Sequence, residues 1–261
     1  MANEDPRETL QNLPLFSGQE PLTQQVLEGL VSRDPYNTIC YSGHFAGKPY
    51  AQAIMERAVV SEPSAAITFF TWPSMNGDLA DGYSKQSWAE SILRKAVEGA
   101  NGMDGSHAAI TSYSRYSHMP FAASILRMAA AKNPTVAISS WKDYRDSPVA
   151  DEVLGRAIDQ DPAHALDLYK FEGFDAKFRD QAIARRRETK DWALVAFRDR
   201  YNDRSDARSI FDNAIDSLVE NNPAWLRENI RGYVSESQAD RILRDVEKKL
   251  HAQAQEQRKA T

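Results

Sequence analysis

Residues 121–144 read FAASILRMAAAKNPTVAISSWKDY, and residues 149–169 read VADEVLGRAIDQDPAHALDLY. Laid over each other, Phe121, Ile125, Leu126 and Ala129 fall on Val149, Val153, Leu154 and Ala157. Asn133-Pro134 falls on Asp161-Pro162, and Ala137, Ile138 and Trp141 fall on Ala165, Leu166 and Tyr169. Apolar residues at i, i+4, i+5 and i+8 share one face of a helix. The residue before a proline is pushed out of the α region, which ends that helix. An Asp or Asn there can cap the next helix, whose first position tolerates Pro. The pattern therefore predicts a helical hairpin.

Working outward, the template recurs in both directions. Leu22, Val26, Leu27 and Leu30 precede Asp34-Pro35, and Tyr50, Ile54, Met55 and Ala58 precede Glu62-Pro63. Trp88, Ile92, Leu93 and Ala96 precede a copy with Ser106 in the proline position. Phe178, Ala182 and Ile183 lead to Asp191, while Ala207, Phe211 and Ala214 lead to Asn222-Pro223. Near the end of the second helix stand Phe45, Tyr116, Tyr144, Tyr201 and Tyr233, expected as core aromatics. A lone hairpin cannot bury its apolar face, so neighbours must stack. The expected fold is all-α: an α-solenoid of about seven helix-turn-helix repeats over residues 21–235. Residues 1–20 form an N-terminal segment, and residues 236–261 a C-terminal capping helix with a polar tail, fraying after Leu250. Ser235 and Gln238 have the spacing of a capping box for that helix.

The hairpin period and the Ala/Leu/aromatic template resemble helical-hairpin solenoids of the HEAT and tetratricopeptide type. The resemblance spans roughly residues 21–235. The core period, from Phe121 to Val149, is 28 residues, shorter than the usual period of either class. What the resemblance implies is a scaffold that binds peptides or proteins.

Composition narrows the function. The formal net charge of -5 argues against nonspecific nucleic-acid binding, which depends on neutralising phosphates. No stretch approaches the ~20 apolar residues of a membrane span. One Cys excludes an intrachain disulfide framework and a multi-Cys zinc site. The polar, acidic start is no signal peptide; it fits a cytoplasmic chain, or an exported one whose leader has been removed. Charge is uneven: residues 131–261 hold 23 basic and 24 acidic side chains against 9 and 13 in residues 1–130, so the C-terminal half is the more solvated without being basic.

Departures from the template are where function is expected. Thr71 to Gly82 lengthens one turn; Asn76, Asp78 and Asp81 there miss the EF-hand spacing, so an Asx/Gly turn is expected and no metal. Gly99, Gly102 and Gly105 suggest a flexible loop inside a hairpin, on the opposite edge. Arg185, Arg186 and Arg187 offer an anion or acidic-peptide patch, or a solvated face paired with Glu188, Asp180 and Asp191. Arg115 and His118 lie in a hydroxyl- and aromatic-rich run that could line a surface, and Trp72 begins the long turn. These six, Trp72, Arg115, His118 and Arg185 to Arg187, are the expected ligand contacts.

Catalytic chemistry finds little footing. Cys40 and His44 are four apart and could form a thiol–imidazole dyad, although Cys40 follows the core residue Ile39. No two of the five His are three or four apart, so no local zinc pair exists. Glu236-Ser237 matches a lytic-transglycosylase dipeptide, yet the 24 residues after it leave no room for a lysozyme-like domain. No phosphate loop, nucleophile elbow or His-Glu-x-x-His occurs. The expectation is a noncatalytic scaffold without cofactor that recognises a peptide, protein surface or extended polymer. Two readings stand beside it: a Cys/His hydrolase, and a self-assembling structural module.

Overall fold

The computed structural model describes residues 6–13, 18–71, 82–99, 102–172, 174–189 and 192–260. Among them there are helices and turns but no strand, so the all-α class holds. The chain forms two compact units, Met1–Ala157 and Ile158–Thr261.

In the first unit α1 (Pro6–Gln11) packs on α3. Leu10 and Leu13 of the opening segment are buried. Helix α2 (Glu20–Arg33) pairs with α3 (Pro35–Cys40), α4 (Ala51–Ser61) with α5 (Pro63–Thr68), α6 (Ala89–Glu98) with α7 (Gly102–Thr111), and α8 (Ala122–Lys132) with α9 (Pro134–Ser139). The short α10 (Trp141–Tyr144) precedes α11 (Ala150–Gln160), and the division between units falls within α11. The second unit continues with α12 (Pro162–Glu172), α13 (Ala176–Thr189), α14 (Ala193–Ala196), α15 (Ala207–Asn221), α16 (Pro223–Asn229) and α17 (Glu236–Ala260).

Why these helices form is visible residue by residue. Along α8, Ala122, Ile125, Leu126, Ala129 and Ala130 are buried as one stripe, and Ala89, Ile92, Leu93, Ala96 and Val97 do the same along α6. Each fully buried Ile or Leu contributes about 1.5–3 kcal/mol. The prolines end one helix and start the next. Asp34, Glu62, Asn133 and Asn222 all leave the α region, with ψ of 71, 63, 71 and 59°. The side chain of Asp34 accepts from the Asn37 N–H (3.0 Å), Asn133 from Val136 (3.3 Å), Asp161 from His164 (3.2 Å) and Asn222 from Trp225 (3.3 Å). Glu62 does not cap α5. Its extra methylene overshoots the N–H that the shorter side chains reach.

The second helices differ from expectation. α3, α5 and α9 each stop after six residues, and the chain turns through a tighter segment, such as the 3-10 turn Ser42–His44 after α3. The aromatic expected within the helix therefore sits beyond it. Where that aromatic is a buried tyrosine, its hydroxyl satisfies a carbonyl near the helix end that has no intrahelical partner; Phe45 after α3 makes no such bond. Tyr144 Oη–H donates to Ala137 O and Tyr116 to Ala109 O, both at 2.7 Å, and Tyr201 donates to Leu194 O. Burial pushes all three phenols well above their ordinary pKa. Tyr83 makes the same bond to Ala66 O at 2.7 Å, although it follows Pro63 by twenty residues where Tyr144 follows Pro134 by ten.

After each of these aromatics the same turn recurs. Ser147 N–H donates to Tyr144 O (2.8 Å) and Ala150 N–H to Ser147 O (3.0 Å). Equivalent pairs join Phe45, Lys48 and Ala51; Tyr83, Gln86 and Ala89; Tyr116, Met119 and Ala122; and Tyr201, Arg204 and Ala207. The alanine six residues past the aromatic thus opens the next helix.

Two further departures concern the expected ends and loops. Gly102 and Gly105 are helical rather than part of a flexible loop. A Cβ on Gly105 would stand 2.0 Å from Ala96 O and 3.2 Å from Pro63 Cβ, so glycine is what lets α7 lie against α6 and α5. Helix α17, expected to fray after Leu250, continues as helix to Ala260, its last turns being composed almost wholly of Ala, Gln, Glu, Lys and Arg, all good helix formers. It buries Ala239, Ile242 and Val246.

Candidate functional site

The six side chains picked from the sequence fall apart spatially into separate settings. Trp72 and residues 73–81 lie outside the described residues. His118 is exposed in the turn after Tyr116, and Arg115 is half-buried in the 3-10 turn Tyr113–Arg115, its carbonyl accepting from Thr71 Oγ1 at 3.2 Å. Both belong to the first unit, whereas Arg185, Arg186 and Arg187 are on α13 in the second.

The arginines on α13 are engaged. Arg185 reaches Asp159 at 2.6 Å and Glu188 at 3.4 Å, and Arg187 reaches Asp206 at 2.7 Å. Arg186 is half-buried. The partner Asp180, expected for this cluster, instead takes Arg179 (3.2 Å) and Arg204. Asp206 accepts from both Arg204 and Arg187, and these two hydrogen bonds hold its carboxyl far below the usual range. The bond from Arg185 does the same, more mildly, to Asp159. An incoming anion would have to displace these carboxylates.

The pair Cys40 and His44 is poorly set for nucleophilic chemistry. Burial pushes the Cys40 thiol up and the His44 imidazole down, so both are driven towards their neutral forms. A thiolate–imidazolium pair needs the opposite shifts. His44 stacks on Tyr41 (5.8 Å between ring centres), and its Nδ1 has no hydrogen-bond partner among the described residues. Among those residues no three His, Cys, Asp or Glu side chains converge as metal ligands. No described helix is long and apolar enough to cross a membrane.

What the sequence reading missed is an aromatic stack in the second unit. Trp192 lies 5.9 Å from Trp225, and Trp225 lies 5.9 Å from Tyr233 with the rings only 14° apart. Phe197 extends the run, 6.2 Å from Trp192. Trp192 is 39% exposed and Tyr233 40%, with Trp225 half-buried between them. Tyr233 therefore departs from the buried role expected at its template position. Its ring lies flat on Trp225, which stands two residues after Pro223 where the other copies carry Asn37, Ala65, Val136 and His164. That indole in a column of smaller residues was the available signal. Trp192 is tilted by 33° against Trp225, so only the Trp225–Tyr233 pair is face to face; half-exposed rings held against each other in this way are prepared to accept an apolar ligand face at little entropic cost.

The chain matches no protein-family model, no curated protein and no solved structure.

Proposed function

We propose that the chain is a noncatalytic binding scaffold, an α-solenoid of about seven helical hairpins closed by α17. It grips a peptide or protein segment along a helix-lined face. The recurring Asx-Pro junctions, the tyrosine-to-carbonyl bonds and the identical turns before Ala51, Ala89, Ala122, Ala150 and Ala207 support the solenoid reading. The observation that carries the binding reading is the stack of Trp192, Trp225 and Tyr233. Rows of partly exposed aromatic rings are the surface on which extended, proline-bearing peptides dock. On the first unit, His118 and Arg115 remain the assigned contacts. A net charge of -5 favours a protein over a nucleic acid as partner. Neither a cofactor nor a metal enters this reading, and the directions of the Cys40 and His44 shifts weigh against the hydrolase alternative.

Selection of displayed random peptides against the full chain tests the proposal, with Trp192→Ala and Tyr233→Ala as paired counter-targets. Peptides rich in Pro or aromatics that lose at least tenfold in affinity on either variant are the expected result, each lost anchor being worth at least ~1.4 kcal/mol. Enriched peptides that bind both variants as well as the parent would refute the aromatic face. Light scattering that shows concentration-dependent dimers abolished by Trp192→Ala would assign the face to a second copy instead.

A further inference from the structure

The second unit also holds an open cleft of about 460 Å³ between the turn after α14 and helices α15 and α17. Arg198, Arg208 and Arg241 line it against a single carboxylate, Asp212. Three guanidinium groups facing one acid leave an excess of two positive charges in a chain whose net charge is -5. That local inversion is the first observation.

The second is how the other arginines nearby are spent. Arg179, Arg185, Arg187, Arg200, Arg204 and Arg231 each meet at least one carboxylate within 4 Å. Arg198 and Arg241 meet none among the described residues, as is also true of Arg227 and Arg244, but of these four only Arg198 and Arg241 line the cleft. Arg198 lies instead over the buried Phe211 ring, 4.5 Å from its centre, a cation–π contact that uses none of its N–H donors. Arg208 reaches Asp212 only at 3.7 Å and is 92% exposed. The third observation is the floor of the cleft, which includes Ser237 and Gln238 in the first turn of α17. The first helical bond there is Ala239 N–H to Ser235 O, so the N–H groups of Ser237 and Gln238 precede it. The neighbouring Glu236 is drawn towards Arg231 at 3.8 Å.

We infer that this cleft binds a phosphate group, free or as the monoester of a modified side chain, with Arg198, Arg208 and Arg241 as its ligands. A carboxylate carries one charge and two oxygens. A phosphomonoester near neutral pH carries close to two charges and three acceptor oxygens, which match the charge excess and the number of guanidinium forks. The cleft is separate from the aromatic stack, and the inference holds whether or not that stack takes a peptide.

The test is a titration of the isotopically labelled full chain, followed by the amide signals of Ser237 and Gln238. The probes are inorganic phosphate, a blocked Ala-phosphoserine-Ala tripeptide and the same tripeptide with Glu, all at constant ionic strength. Saturable shifts with either phosphorus probe are expected, weakened about tenfold by Arg241→Gln and again by Arg208→Gln, the loss of one charge-assisted bond each. Arg185→Gln, which lies outside the cleft, should leave them unchanged. A tighter phosphotripeptide assigns the group to a modified protein, and a tighter inorganic phosphate assigns it to the free ion; both support the site. Absence of shifts with both, shifts that survive both cleft variants, or equal binding of the Glu tripeptide would overturn it.

Discussion

Replacing Gly105 by Ala sets two effects of opposite sign against each other, and their magnitudes decide the outcome. Gly105 is inside α7, where alanine is favoured over glycine by about 1 kcal/mol. Propensity alone therefore predicts a more stable protein. But the new Cβ would sit 2.0 Å from Ala96 O and 2.7 Å from its carbonyl carbon. Backbone cannot swing aside as a side chain can, so α7 must move off α6 by roughly 1 Å or more. Overpacking of this kind costs about 1–3 kcal/mol, occasionally more, and Pro63 Cβ at 3.2 Å closes the alternative direction. Burial strengthens the case, since Ala96, Val97 and Ala109 around the contact are fully buried. The upper part of that range outweighs the propensity gain, leaving a net loss of about 2 kcal/mol. For 150–250 residues that lowers Tm by about 4–8 °C. Gly29→Ala is the matched control: Gly29 lies within α2, is exposed and has nothing within 4 Å of the added Cβ. It should raise Tm by about 2–4 °C. Thermal melts followed by far-UV circular dichroism on the two variants and the parent read both signs at once. A Gly105→Ala protein that melts at or above the parent would refute the close approach of α7 to α6.

Four other outcomes follow from the same structure. Tyr144→Phe removes the donor to Ala137 O inside the core and should destabilise by about 1–3 kcal/mol in urea titrations, whereas Tyr233→Phe, on an exposed ring, should change stability by less than about 0.5 kcal/mol. Asn133→Ala should cost about 1 kcal/mol through the lost cap of α9, and Glu62→Ala close to nothing, since Glu62 makes no cap bond; chemical denaturation of the two variants separates them. The depressed Asp206 carboxyl contributes stability that is full above the ordinary aspartate range and is lost as pH falls through its lower folded value, so its carboxyl carbon should titrate well below pH 4 in NMR and shift upward in Arg204→Gln. Cys40 in the folded chain should react with a thiol reagent more slowly than a free cysteine at neutral pH, and a fast-reacting thiolate would revive the dyad.

Much of the helical layout was legible because its signals are local. Proline at positions 35, 63, 134, 162 and 223 fixes a boundary whatever surrounds it, and the alternation around Ile125-Leu126 or Ile92-Leu93 specifies a buried stripe. The early stops of α5 and α9 were not legible, since each is met by a tyrosine arriving from beyond the helix, while α3 stops equally early ahead of Phe45, which has no hydroxyl to offer. Tyr83 shows the limit well. Counted forward from Pro63 it falls in the wrong place; counted back from Ala89 it stands six residues before, as Tyr144 stands before Ala150. The candidate surfaces were harder still. The Trp192–Trp225–Tyr233 stack joins three helical segments, and the cleft of Arg198, Arg208 and Arg241 joins three more. The run Arg185 to Arg187 looked like a site because its charges are adjacent in sequence, while the carboxylates that answer them, Asp159 and Asp206, are distant in it.

The bond from Tyr83 to Ala66 O has a bearing on how such a chain can change length. Where a phenol fastens each finished helix, the next one takes its starting point from that fastening and not from the tally of residues in between. Ten surplus residues before Tyr83 leave Gln86 and Ala89 in the same hydrogen-bonded turn as their shorter-linked counterparts. Further residues inserted in the junction after Phe70 should therefore leave the downstream helices in phase so long as the aromatic at position 83 and the turn after it are retained.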